Sequence, residues 1–186
     1  KVEITKDGND CIVDNFVLRV GARARGGQLF LLTSLPAQHN LLSTLRRADE
    51  PSQAGSTPSH APAPDWYGRG ALLDHFFGEE TTLENFQAGR YRESGDFISE
   101  EWRLDSFWEC VTGAGVLTMR RAGGVWQDEV FAPLQIEKKI ILTPNSGELR
   151  VEYSLQNTGE APLDLWWGIE WNVVTSGTDL PERHYH

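Results

Sequence analysis

Apolar positions along this chain recur mainly with a period of two, in short runs separated by Gly, Pro, Asn and Ser. Residues 11–20 alternate weakly, with Ile12, Val13, Phe16, Val17, Leu18 and Val20 as the apolar positions. Gly26-Gly27 reads as a turn, and residues 28–33 follow as a second apolar run, which together predict a hairpin. In residues 39–47, Leu41, Leu42 and Leu45 stand at helical spacing, which predicts a short helix or a structured loop. Strand patterns resume at 70–77, 95–97 and 102–111. Residues 115–120 and 125–131 read as a hairpin turning at Arg121-Ala122-Gly123-Gly124. Residues 134–142 and 149–155 read as another, turning at Pro144-Asn145-Ser146-Gly147, and 163–174 form the last run. Strands of this length and spacing, with no alternation of strand and helix, predict an all-β antiparallel sandwich as one domain over residues 1–186.

One stretch breaks the pattern. Residues 48–65 hold Pro51, Pro58, Pro62 and Pro64 among Ser, Thr, Gly and Ala, and lack the apolar surface to pack. They read as a flexible loop within the domain, since strands flank them on both sides. The charge sum is −10, from 17 Lys and Arg against 27 Asp and Glu. This argues against nucleic acid and anionic membranes as partners, both of which need clustered cations. No apolar run approaches a membrane span, and no signal-peptide order is visible. Cys11 and Cys110 lie far apart in no metal-binding spacing, and read as buried, reduced and inert. With no signal, this predicts a cytoplasmic protein. The first residue is Lys1, which reads as an excerpt from a longer chain.

Candidate chemistry is sparse. There is no nucleophile elbow, phosphate loop, dinucleotide fingerprint or zinc-protease helix motif. Asp74-His75 places a carboxylate beside an imidazole, a pairing that can tune a general acid or base. In a strand, however, neighbours point to opposite faces and cannot act on one atom. The plainer reading is a turn Asp and a His bonded to backbone. Seven Trp are many for this length, and three cluster at 166–171. In a strand, Trp166, Gly168, Glu170 and Asn172 share one face, while Trp167, Ile169, Trp171 and Val173 share a plain core face. The first set offers an aromatic platform with a carboxylate and an amide, groups that suit a sugar's CH faces and hydroxyls. Space-filling within a half-buried sheet is the plainer reading. Glu182, His184 and His186 form too loose a set on a chain terminus to expect a metal site.

Several strings occur together in a fixed order: Gly26-Gly27; residues 39–47; Arg69 through Leu72-Leu73-Asp74-His75-Phe76-Phe77; Gly95-Asp96-Phe97; Lys138-Lys139; residues 151–157; and Gly168-Ile169-Glu170-Trp171-Asn172. In this order the chain resembles the C-terminal β-sandwich of glycoside hydrolase family fifty-seven, the 4-α-glucanotransferase and α-amylase group, from about Phe16 to His186. That sandwich is of the galactose-mutarotase-like type. The resemblance implies that the catalytic Glu and Asp sit in a separate N-terminal barrel that this chain lacks, so no catalytic residue is carried over. The stretch 48–65 departs from the family pattern. Glu182-Arg183-His184-Tyr185 resembles a family stretch after which more strands are expected, which implies an incomplete sandwich whose exposed edge would be an aggregation risk or be covered by a second chain, as in a dimer.

The expectation is therefore a non-catalytic domain, without cofactor or metal. It packs on a catalytic barrel and presents Trp166, Glu170, Asn172, His75 and Asp74 as candidates for contact with an α-glucan or maltooligosaccharide. Asn40, Arg46 and Arg47 are the candidates for the domain interface. Two alternatives stand beside it. One is a mutarotase-like sugar epimerase using His75 and Glu170 as acid and base, which requires both side chains to face one pocket a few ångströms apart. The other is a sandwich used purely for assembly.

Overall fold

The computed structural model describes residues 2–42, 44 and 66–174. Their elements run β1 (Glu3–Asp7), β2 (Asp10–Asp14), β3 (Leu18–Arg23), β4 (Gln28–Ser34), β5 (His39–Asn40), β6 (Ala71–Phe76), α1 (Leu83–Gln87), β7 (Arg103–Trp108), β8 (Gly115–Gln127), β9 (Val130–Leu142), β10 (Arg150–Asn157) and β11 (Trp167–Trp171). The larger sheet has the order β1-β2-β3-β4-β6-β11, with β5 beside β4; the smaller is β10-β9-β8-β7. All pairings between these strands are antiparallel. The fold is thus the all-β sandwich that the alternation predicts. Among the described residues, no helix is long and apolar enough to cross a membrane.

The core lies between the sheets because the period-two pattern gives each strand one apolar face. The larger sheet contributes Val13, Val20, Leu29 and Leu72, and the smaller Leu117, Met119, Ile136 and Ile140. In β9 every second residue from Ala132 to Leu142 is buried, and Lys138 occupies one of those inward positions.

Four local expectations are corrected. The run 11–20 breaks into β2 and β3 at a tight turn, where Phe16 adopts φ 72°. Asn15 holds that turn: its carboxamide oxygen accepts from the backbone of Val17 and Leu18, and its nitrogen donates to Thr143 and Ser146 carbonyls across the sandwich. Arg121-Ala122-Gly123-Gly124 is not a turn but the middle of β8, paired with residues 133–136; the chain reverses at Asp128, φ 54°. The glycines serve close packing instead, since a Cβ on Gly124 would lie 2.6 Å from the Phe131 ring and 2.5 Å from the Ala132 oxygen. At 39–40 the chain is the short strand β5 rather than a helix, and Leu42 bridges to Val173. Leu45 and the Pro-rich stretch 48–65 lie outside the described residues, as do residues 182–186. Of the two thiols, both free, Cys11 is buried as expected but Cys110 is exposed, because it follows the end of β7 in the loop leading to β8.

Candidate functional site

The chemistry of this molecule is divided by one strand. All six residues of β6 are buried, so both faces of this strand are covered. Alternation sends Asp74 to the inner face and His75 to the outer one.

On the inner face, the Lys138 ammonium lies 2.5 Å from the Asp74 carboxylate and donates to the carbonyls of Leu72 (2.5 Å) and Gly27 (2.6 Å). The Trp167 indole N–H donates to the other Asp74 oxygen at 3.2 Å. Lys138 also sits over the Trp102 ring, 4.2 Å from its centroid. Both charged side chains have zero exposure. Burial pushes the Asp74 carboxyl up and the Lys138 ammonium down, and their mutual attraction opposes both shifts. Asp74 is thus consumed inside the sandwich, where no surface ligand meets it.

On the outer face, His75 lies between two carboxylates. Its Nε2 is 2.7 Å from a Glu170 oxygen and its Nδ1 is 2.8 Å from a Glu93 oxygen. A neutral imidazole has one N–H, so only the imidazolium donates to both. Burial alone would lower the His75 pKa, but hydrogen bonds and attraction from Glu170 and Glu93 outweigh it and raise it to about 9. Burial likewise raises Glu170, yet bonds from His75, Tyr67 and Asn172 hold it below the ordinary carboxylate range.

Each carboxylate has further partners. The Tyr67 hydroxyl donates to the His-bound oxygen of Glu170 at 2.7 Å, and the Asn172 amide donates to the other at 2.7 Å. The second Glu93 oxygen accepts from the backbone N–H of Phe76 at 2.8 Å. Burial, with the nearby carboxylates, pushes the Tyr67 and Tyr91 hydroxyls upward, so both stay protonated. Aromatic rings close the centre: Phe77 stacks on the imidazole with centroids 5.4 Å apart, and Tyr67, Phe86 and Tyr91 meet it edge-on. His75 is 1% exposed.

The sequence candidates therefore separate. His75, Glu170 and Asn172 come together, while Asp74 lies on the other face. Trp166 stands at the rim, half exposed, against Phe77 with ring centroids 5.6 Å apart. A cleft of about 560 Å³ opens beside it, lined by Phe77 and Trp166 but by neither His75 nor Glu170. Asn40 uses its carboxamide within its own sheet edge, accepting from Leu32 and Leu42 and donating to the Leu42 carbonyl. Arg46 and Arg47 lie outside the described residues.

The Trp167 side of β11 is not the plain core face expected. Trp167 packs on Tyr153 of β10, the outer strand of the smaller sheet, whereas Ile169, Trp171 and Val173 are exposed. Sequence reading also missed Tyr67, Tyr91 and Glu93, which lie in irregular segments with no periodicity. Lys138 carried a usable signal, being a charge at an inward position of an alternating strand.

Residues 59–186 match the family model described as α-amylase/4-α-glucanotransferase, C-terminal. The chain is 33% identical over 120 residues to a 4-α-glucanotransferase of Thermococcus litoralis, covering 64% of this chain and 16% of the relative. It is 25% identical over 183 residues to an α-amylase of Pyrococcus horikoshii, covering 92% of this chain and 26% of that protein. The crystal structure of 4-α-glucanotransferase from T. litoralis superimposes with a TM-score of 0.77 at 27% identity, over 93% of this chain and 27% of that one. The chain spans about a quarter or less of the length of these relatives. With the family model covering most of its length, and the sandwich superimposing on part of a solved glucanotransferase, this chain belongs to the family of C-terminal domains of α-amylases and 4-α-glucanotransferases.

Proposed function

We propose that this sandwich performs no chemistry of its own and acts as the partner of a catalytic domain in an α-glucan-processing enzyme. The observation that carries this reading is the saturation of His75. Both ring nitrogens are held by carboxylates of the same domain, and the ring is sealed by four aromatic side chains. A general acid or base must reach the proton it moves. Among the described residues, the polar groups within reach of the ring nitrogens are Glu93, Glu170 and the Tyr91 hydroxyl, all of this domain. The outer strand β11 supports the packing half of the proposal: Ile169, Trp171 and Val173 expose apolar surface at one end of the sheet path, a surface suited to burial against a second domain. Cys11 and Cys110, as free thiols, fit a reducing, cytoplasmic setting.

The epimerase reading has one observation in its favour, since His75 and Glu170 meet at 2.7 Å. They bond to each other, however, and neither lines the adjacent cleft. Polarimetry separates the readings. With freshly dissolved α-D-glucose or α-D-galactose, the protein is expected to leave the rate of anomerisation at the buffer value, and to leave maltoheptaose intact. Acceleration that disappears in Glu170→Gln would overturn the non-catalytic reading.

A further inference from the structure

The cleft beside Trp166 has the makings of a ligand site separate from the His75 centre. Its walls come from the end of β6 with the following Phe77-Gly78-Glu79-Glu80, from the turn joining β8 to β9, and from residues 164–166. Two indoles flank it, Trp126 at 48% exposure and Trp166 at 51%. Neither is loose. Trp126 packs on Phe131 with ring centroids 5.1 Å apart, and its backbone N–H donates to Ser94. Trp166 packs on Phe77, whose backbone N–H donates to the Trp166 carbonyl at 2.9 Å.

The walls are also braced against one another. The Gln127 amide donates to the Asp164 carbonyl at 3.0 Å, tying the β8–β9 turn to the segment that carries Trp166. Arg92 donates to the Asp128 carbonyl at 3.2 Å. The cleft is therefore preformed, and a ligand entering it does not bear the cost of ordering the walls.

Its chemistry narrows the occupant. The lining holds four carboxylates, Glu79, Glu80, Asp128 and Asp164, against one guanidinium, Arg92. That balance repels an anion. No group of three potential metal ligands converges among the described residues, so the acids do not form a cation cage. The two exposed indoles beside these acids suit a molecule with apolar faces for the rings and many hydroxyls for the carboxylates. A volume of about 560 Å³ falls within the range of small-molecule clefts.

We infer that this cleft is an oligosaccharide subsite, with Trp126 and Trp166 as stacking platforms and the surrounding carboxylates as hydroxyl acceptors. The assignment of α-glucan as the occupant rests on the proposed role in a glucan-processing enzyme. The site shares only Trp166 with the Trp166-to-Asn172 strand face expected from alternation, because both Glu170 oxygens and the Asn172 amide nitrogen are taken up by His75, Tyr67, Gly70 and each other.

The test is calorimetric and fluorescence titration with maltohexaose, with cellohexaose in parallel. Saturable maltohexaose binding is expected, weakened at least tenfold by Trp126→Ala and by Trp166→Ala. Trp171→Ala, an exposed Trp outside the cleft, is expected to bind normally. Circular dichroism and melting confirm that each variant is folded. Maltohexaose binding indifferent to both cleft variants overturns the location while leaving the glucan reading intact. Cellohexaose binding that depends on both Trp, without maltohexaose binding, overturns the α-glucan assignment and places the fault in the functional reading. No binding of either sugar overturns the subsite.

Discussion

Lys138→Met is expected to destabilise the domain by about 3–5 kcal/mol, the usual consequence of removing one member of a buried ion pair. The substitution keeps an unbranched side chain of similar length over Trp102, so packing is largely retained. What it removes is the partner of a fully buried carboxylate and the donor to two main-chain carbonyls. Among the described residues, Asp74 would keep the Trp167 indole at 3.2 Å as its hydrogen-bond donor. The double variant Asp74→Leu/Lys138→Met is expected to regain a substantial part of the loss, because no buried charge then lacks its counter-charge. Urea unfolding followed by Trp fluorescence checks both. A single variant within about 1 kcal/mol of the parent would mean that the pair contributes no more than an ordinary surface bridge.

The second large effect is a loss of stability on the alkaline side. The His75 pKa in the folded protein is raised to about 9, against 6.5 for the unfolded side chain. A raised folded value means that the native state binds the proton more tightly. Its contribution is therefore full below about pH 6.5 and lost as pH climbs through about 9. The gap corresponds to on the order of 3 kcal/mol. Glu170 works in the opposite direction: its folded pKa is lowered, so its contribution is present above the ordinary carboxylate range and lost as acid is added. The melting temperature should therefore be highest between about pH 5 and 6.5 and decline steadily toward pH 9. In His75→Gln that alkaline decline should disappear, on a lower baseline, because Glu93 and Glu170 then face each other without a cation. A flat profile from pH 6 to 9 in the parent protein would contradict a charged His75.

Much of the sandwich was legible because its strands obey the simplest rule, one apolar face per strand. The alternation over 134–142 marked most of β9, though not its first residues, which were read with 125–131, and the cluster Pro144 to Gly147 marked the turn that follows. The errors came where a residue type serves a purpose other than its commonest one. Gly123 and Gly124 read as a turn, yet they give clearance: added Cβ atoms would strike Asp96 and Phe131 at 2.3 and 2.6 Å. Residues 11–20 read as one run because the reversal is made by Asn15, whose hydrogen bonds to a segment some 130 residues away leave no local trace.

The polar centre was half visible. His75 and Glu170 were nameable from their neighbours, and strand alternation by itself separates Asp74 from His75. Glu93 was not nameable, since it reaches His75 from an irregular segment through a single bridge between Phe77 and Glu93. Without it, His75 and Glu170 resemble a free acid–base pair. With it, the imidazole is held at both nitrogens and the same residues read as a structural clamp.

The state of that imidazole is the most direct test of this account. Nitrogen NMR of uniformly labelled protein reports whether each ring nitrogen carries a proton. For His75 both are expected to be protonated at pH 7.5, with titration only near pH 9. A neutral His75 at that pH, titrating near its ordinary 6.5, would contradict the clamp and return His75 and Glu170 to candidacy as a working acid and base.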